Sequence, residues 1–281
     1  MLNKSKTMVP IILVISLIML LAPACSTSSA DGLKVVTSTS LLASIVERAG
    51  GNRVNVVNII PPAQCPGHFD LKPGDIRKLA DADLFLMHGW QGEKFAEDLI
   101  ASANNPRLAV HRIDIPGNWM TPPVQLKAVD ALTAILSQAD APSSSFYQER
   151  ATEQKAMIEA KSAEIKKKLA EENLGGVNVL CEEKQAGFAK WTGLNVVATF
   201  GPPDSLTPQG LKELVDKGKS AGVTVIIDNL QSGHDAGAGI AEELGARRTI
   251  LSNFPGGLDN TETWEKAIDR NIELILEAIA N

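Results

Sequence analysis

Three side chains that bind transition metals stand within one short stretch, Pro61-Pro62-Ala63-Gln64-Cys65-Pro66-Gly67-His68-Phe69-Asp70-Leu71-Lys72-Pro73-Gly74-Asp75. Cys65, His68 and Asp70 supply a thiolate, an imidazole and a carboxylate, a mixture that suits zinc. A Cys-x-x-His pair can close on one ion, although it more often occurs with a second Cys/His pair. The prolines and glycines around these residues also allow a stiff turn with no ion, in which Cys65 is a small buried hydrophobe or half of a disulfide.

Further donors fall where strand-like runs end. Cys181 closes Val177–Cys181, Glu182 follows it, and Asp228 closes Val223–Asp228. Each has an ordinary reading as well: Cys181 as a disulfide partner of Cys65, Glu182 as a carboxylate at a helix N-terminus, and Asp228 as the cap of the next turn. His88 ends another such run and would hold a ligand side chain by hydrogen bond, or serve only structure. Trp119, in the loop Pro116–Pro123, reads as a wall of the same region. His111 and His234 read as structural.

The elements that must position these groups alternate strand and helix. Leu33–Thr37, Val54–Ile60, Asp83–Gly89 and Leu108–Ile113 read as strands, with helices over Leu41–Ala49, from Gly74-Asp75 through Leu79, and over Glu93–Ala103. A β-α-β-α-β-α-β order means a parallel sheet with helices on both sides. The helix Val124–Gln138 follows. Phe146–Glu172 then has no Gly or Pro, and a helix of that length spans about 40 Å at 1.5 Å per residue, enough to run along two lobes. After Gly175-Gly176 the alternation restarts and closes with a helix over Thr261–Ala280. The fold class is α/β: two β/α lobes with parallel sheets joined by one long rigid helix, with a cleft between them. The lobes are placed at 33–142 and 175–281, and the linking helix at 143–174.

The N-terminus reads as export machinery. Lys4 and Lys6 precede an apolar run from Met8 to Leu21, and Ala22-Pro23-Ala24 lead to Cys25. Small residues ending at a cysteine resemble the bacterial lipobox, with 1–24 as signal peptide, Cys25 lipidated and 25–32 a flexible tether. A plain cleaved leader or an uncleaved anchor is the alternative. No later run is long enough to cross a bilayer. The chain carries a net charge of −6, aromatic residues make up 4% of it, and there are no basic runs, all of which argues against nucleic acid as a partner.

With these residues in view, the chain resembles the metal-binding solute-binding proteins of zinc and manganese ABC importers, from Lys34 to Ile279. The resemblance is carried most specifically by His68-Phe69-Asp70-Leu71-Lys72-Pro73-Gly74-Asp75-Ile76 and Ala80-Asp81-Ala82-Asp83-Leu84. Gly50-Gly51, Pro61-Pro62 and Ile226-Ile227-Asp228 also match. The resemblance implies two lobes bridged by a rigid helix, metal held between them, and His68 as the first ligand. It also implies a fourth ligand at Asp228.

Two departures stand out. Where the family has a second histidine, this chain has Gly117 before Asn118-Trp119-Met120-Thr121-Pro122. Where the family has a histidine or glutamate at the start of the second lobe's first helix, the chain reads Leu180-Cys181-Glu182-Glu183-Lys184-Gln185. The histidine-rich loop of many zinc-specific members is absent.

The resulting expectation is a lipid-anchored extracytoplasmic binding protein, monomeric and without catalysis. It would deliver a divalent transition metal, zinc first, to an ABC permease. Its metal set would be His68, Cys65, Cys181, Asp228 and Glu182, with Cys65 the local replacement for the imidazole missing at Gly117. Soft donors make manganese less favoured and leave copper(I) open. The alternatives are a different ligand in the same fold, such as a metal chelate or an oxyanion, and an adhesin-type lipoprotein closed by a Cys65–Cys181 disulfide. A hydrolase using Glu182 or Glu183 as base has no catalytic motif behind it.

Overall fold

The β-branched run Leu33–Thr37 forms β1, and Ser40–Gly50 forms α1 with its apolar residues on one buried face. β2 (Val54–Asn58), α2 (Pro73–Ala80), β3 (Leu84–His88), α3 (Phe95–Ala103) and β4 (Ala109–Ile113) complete the first lobe's alternation. α4 (Pro122–Ala139) and α5 (Ser144–Ala170) follow. The second lobe holds β5 (Asn178–Glu182), α6 (Ala186–Trp191), β6 (Asn195–Phe200), α7 (Pro208–Ala221), β7 (Val225–Asn229), α8 (Ala238–Leu244), β8 (Arg247–Leu251) and α9 (Trp264–Ala280). This computed structural model describes residues 32–90, 93–172 and 174–280. The leader 1–24, Cys25 and nearly all of the tether lie outside the described residues.

All strand pairs are parallel, in two four-stranded sheets ordered β2-β1-β3-β4 and β6-β5-β7-β8. The orders correspond strand for strand, so each lobe has the doubly wound layout expected of β/α alternation. Helix α6 is short and begins only at Ala186. The Glu182 carboxylate accepts the Lys184 backbone N–H at 2.7 Å and holds 183–185 in a turn before the helix begins.

The 27-residue α5 is the element both lobes share. Its buried residues Tyr147, Ala151, Gln154, Ile158, Ile165 and Leu169 recur at steps of three, four and seven, a single stripe along the helix. That stripe packs against α1 and α4 on the first-lobe side and α9 on the second. One contiguous core cluster consequently runs from Leu42 and Leu132 through Tyr147 and Ile158 to Ile227 and Ile272. Helix α9 reinforces the junction: the Trp264 indole donates to the Met120 carbonyl at 3.1 Å, and Lys161 pairs with Asp269 at 2.9 Å. Arg48 of α1 pairs with Glu265 of α9. Separate clusters lie on the outer faces, around Phe85 and Leu99 in the first lobe and around Leu180 and Ile240 in the second.

Candidate functional site

A cleft of about 690 Å3 opens between the lobes. From the first lobe come Cys65 after β2, Trp90 after β3, and Asn118 and Trp119 after β4. From the second come Lys184 after β5, Asn229 and Gln231 at the end of β7, and Asn253 and Phe254 after β8. Every one of these positions is at the carboxyl end of a parallel strand, where open α/β sheets place ligands.

Carboxamides dominate the polar part of this wall and tie its two sides together. The Asn118 side-chain amide donates to the Lys184 carbonyl at 2.8 Å and to the Asn253 carboxamide oxygen at 2.9 Å, both across the cleft. Asn253 in turn donates to Asn229 Oδ1 at 3.1 Å, which also accepts from Gln185 Nε2 at 3.0 Å. Gln231 reaches back to the Pro62 carbonyl in the first lobe at 2.9 Å. The Ser40 hydroxyl donates to the Pro255 carbonyl at 2.8 Å and adds another link across the lobes.

The expected metal donors are not brought together. No group of three or more His, Cys, Asp or Glu side chains among the described residues is arranged to hold an ion. Cys65 is half-buried and lines the cleft. His68 lies on the exposed side of the same turn, a single 3-10 turn over Pro66–His68, and is not a lining residue. Asp70, two residues further on, is likewise exposed.

The second-lobe donors are deeper. Cys181 is wholly buried in the shared core with Val179 and Ile227, and burial pushes its thiol up to about 12. Both Cys65 and Cys181 are free thiols, so the disulfide-closed alternative finds no support. Asp228 is 0% exposed with both oxygens engaged. Oδ1 accepts the Gly237 N–H at 2.8 Å and Oδ2 pairs with Arg248 at 3.1 Å. Burial raises its carboxyl above the usual carboxylate range, and Gly237 and Arg248 oppose that rise. Glu182 is also fully buried. Its Oε1 has no hydrogen-bond partner among the described residues, and burial raises its pKa to about 7.

Behind the first-lobe wall lies the residue predicted to steady a ligand. The His88 ring stacks on Trp90 at 3.6 Å between centroids and meets Trp119 edge-on at 4.4 Å. His88 Nε2 pairs with the Thr39 hydroxyl at 2.8 Å, while Nδ1 has no partner among the described residues. Burial lowers its pKa to about 3, so the ring is neutral and works as an aromatic support for Trp90. Trp119 donates its indole N–H to the Ile115 carbonyl at 3.1 Å and stands fixed. Among the described residues neither side chain is hydrogen-bonded to an expected metal donor.

The backbone explains the glycine where the resemblance implies a second histidine. Gly117 has φ +112°, in the region that favours glycine, and a Cβ there would lie 2.9 Å from Val124 Cγ2. An imidazole cannot be restored at 117 without strain. Gly117→His is expected to cost about 1–3 kcal/mol of stability and to add no metal affinity, as read by thermal unfolding and zinc titration. Increased affinity with unchanged stability would show that the loop accepts the ring.

Asn229, Gln231, Asn253 and Phe254 went unrecognised as site residues in the sequence. The strand-end rule points to them, but carboxamides and a phenyl ring carry no ligand signature of their own.

A family model described as zinc-uptake complex component A, periplasmic, matches residues 35–278. Among curated proteins, the chain is 31% identical over 98 residues to a manganese-binding lipoprotein of Halalkalibacterium halodurans, covering 33% of each. It is 35% identical over 83 residues to a manganese ABC transporter substrate-binding lipoprotein of Streptococcus pneumoniae, covering 28% of this chain and 27% of that one. The matched stretch thus spans about a third or less of the length of these relatives. Among solved structures, the chain is similar to the solute-binding protein FpvC of P. aeruginosa in complex with Ni2+, with a TM-score of 0.75 over 89% of this chain and 97% of that one. At 21% identity that likeness is one of fold.

Proposed function

We propose a function from one premise: the chain belongs to the zinc-uptake complex component A family of periplasmic proteins. It is the binding component of an ABC importer, capturing a divalent transition metal and handing it to a permease, with zinc the finer assignment. The observation that carries this is the family match across residues 35–278 on a frame whose two sheets point their strand ends into one cleft. Two lobes around a cleft suit a carrier, because a small opening removes half of the cargo's contacts. The protein binds without catalysing.

Its place is outside the cytoplasm, tethered through Cys25. No helix among the described residues is long and apolar enough to cross a membrane. Of the donors read from the sequence, Cys65 is the one that lines the cleft, and Glu182 keeps a buried oxygen with no partner among the described residues. His68 sits one turn away on an exposed segment, while Cys181 and Asp228 have structural surroundings and are weaker candidates.

Elemental analysis of the full chain, purified in detergent without chelator, tests the reading. About one transition-metal atom per chain is expected, with zinc in excess of manganese. Cys65→Ser should lose most of that metal. A folded protein that carries no metal from any growth medium would sink the proposal.

A further inference from the structure

We propose that the cleft takes its metal already wrapped in an organic chelator, as a complex of near-zero net charge with a flat unsaturated group. This deepens the metal-delivery reading and rests on it. Three features of the wall support the inference.

The first is charge. Among the described lining residues Glu183 and Lys184 pair with each other, which leaves Cys65 as the single side chain that can give the ion an anionic donor. A bare dication entering such a wall would lose its water for one anionic donor, which leaves most of its charge uncompensated and is strongly unfavourable. A complex whose chelator already neutralises the ion needs no charge from the protein.

The second is the polar chemistry. Asn118, Asn229, Gln231 and Asn253 present carboxamides from both lobes. Their network uses both N–H groups of Asn118 and of Gln231, while Asn229 and Asn253 each keep one N–H beyond the bonds they make among the described residues, a neutral donor for an organic ligand. Carboxamide oxygens are poor substitutes for thiolate or imidazole on zinc.

Shape is the third. The cleft, at about 690 Å3, is of the size that holds small organic ligands. Trp90 and Phe254, one from each lobe, face it with ring planes within 12° and centroids 6.5 Å apart. His88 and Trp119 brace Trp90 from behind. Such a rigid aromatic pair suits a flat group packing against it.

The test titrates the full chain in detergent, following tryptophan fluorescence. The probes are zinc chloride, a panel of uncharged zinc complexes (bis-picolinate and bis-8-hydroxyquinolinate), and the same chelators without metal. At least one complex is expected to bind 100-fold or more tightly than the bare ion. Trp90→Leu and Asn253→Leu should each weaken that binding at least tenfold, with circular dichroism confirming that both variants fold.

If the bare ion binds as tightly as every complex, this inference falls while metal delivery stands. If a metal-free chelator binds as tightly as its complex, this inference falls, and metal delivery falls with it when zinc chloride does not bind. Binding of no probe, or binding that neither variant weakens, also overturns the inference.

Discussion

Asp228→Ala is expected to destabilise the fold substantially while leaving ligand affinity unchanged wherever the protein remains folded. The carboxylate satisfies the Gly237 N–H at the head of α8 and pairs with Arg248 on β8. Breaking a buried ion pair costs about 3–5 kcal/mol when the partner's charge is left stranded. Here Arg248 is partly exposed and keeps the His234 carbonyl at 2.8 Å, so its charge is not stranded. The loss then comes mainly from the orphaned Gly237 N–H and the emptied space, and about 2–3 kcal/mol is the better expectation.

For a chain of this size that lowers the midpoint of thermal unfolding by about 5–10 °C. Asp228→Asn keeps an acceptor for Gly237 and should cost less. If Asp228 were instead a metal ligand, both variants would lose metal with little change in melting, and calorimetry beside elemental analysis separates the two patterns.

Stability should also fall as pH rises from about 4.5 to 8, and Glu93 is the main cause. Its Oε1 accepts the Ser38 hydroxyl at 2.6 Å, its Oε2 has no partner among the described residues, and burial raises its pKa to about 8. Hydrogen bonds from Ser38 and the His88 backbone oppose that rise without reversing it. In the unfolded chain the carboxyl releases its proton near 4.5, while the folded chain holds its proton up to about 8. Across that window the folded state binds more protons, so each step upward in pH favours unfolding. The cumulative effect is on the order of a few kcal/mol. Glu182, raised to about 7 by burial, adds to the same side.

His88 works in the opposite direction at lower pH. It is held neutral to about 3 and protonates near 6.5 when unfolded, so its contribution is lost as pH falls from about 6.5 to 3. Below about 4.5 this loss acts alone. Above it the two glutamates outweigh His88, which places the stability maximum set by these groups on the acidic side, near pH 4.5–5. Glu93→Gln retains an acceptor for Ser38 and removes the titration, so it should flatten the decline toward pH 8. Chemical denaturation from pH 4 to 8.5 reads this directly. A flat wild-type profile above pH 5, or an unaltered slope in Glu93→Gln, would contradict the account.

Much of the frame was legible beforehand. Strand and helix runs were legible because buried parallel strands are continuous apolar stretches bounded by turn residues, as in Leu84–His88. The absence of Gly and Pro over Phe146–Glu172 marked α5 correctly as one long helix. The site was less legible. Asp228 and Cys181 stand out in the sequence and Asn229 and Asn253 do not, because ligand signatures belong to thiols, imidazoles and carboxylates. The role of Gly117 was half visible: its type showed that no ligand stands there, and only the backbone conformation shows why.

The α/β alternation, the two-lobe plan, the family motif from His68 to Ile76 and the loss of an imidazole at Gly117 all follow from the order of residues. The tertiary structure alone decided which residue at each strand end faces the cleft. Successive side chains on a strand point to opposite faces. In β7, Val225 and Ile227 join the shared core while Ile226 joins the outer cluster. That alternation carries Asp228 to the outer face, where Gly237 and Arg248 hold it, and Asn229 to the cleft. In β5, likewise, Cys181 goes to the shared core. A strand's pattern predicts that alternation. Which of its two faces meets the cleft depends on how sheet and helices pack, and one residue of phase exchanges a carboxylate for a carboxamide.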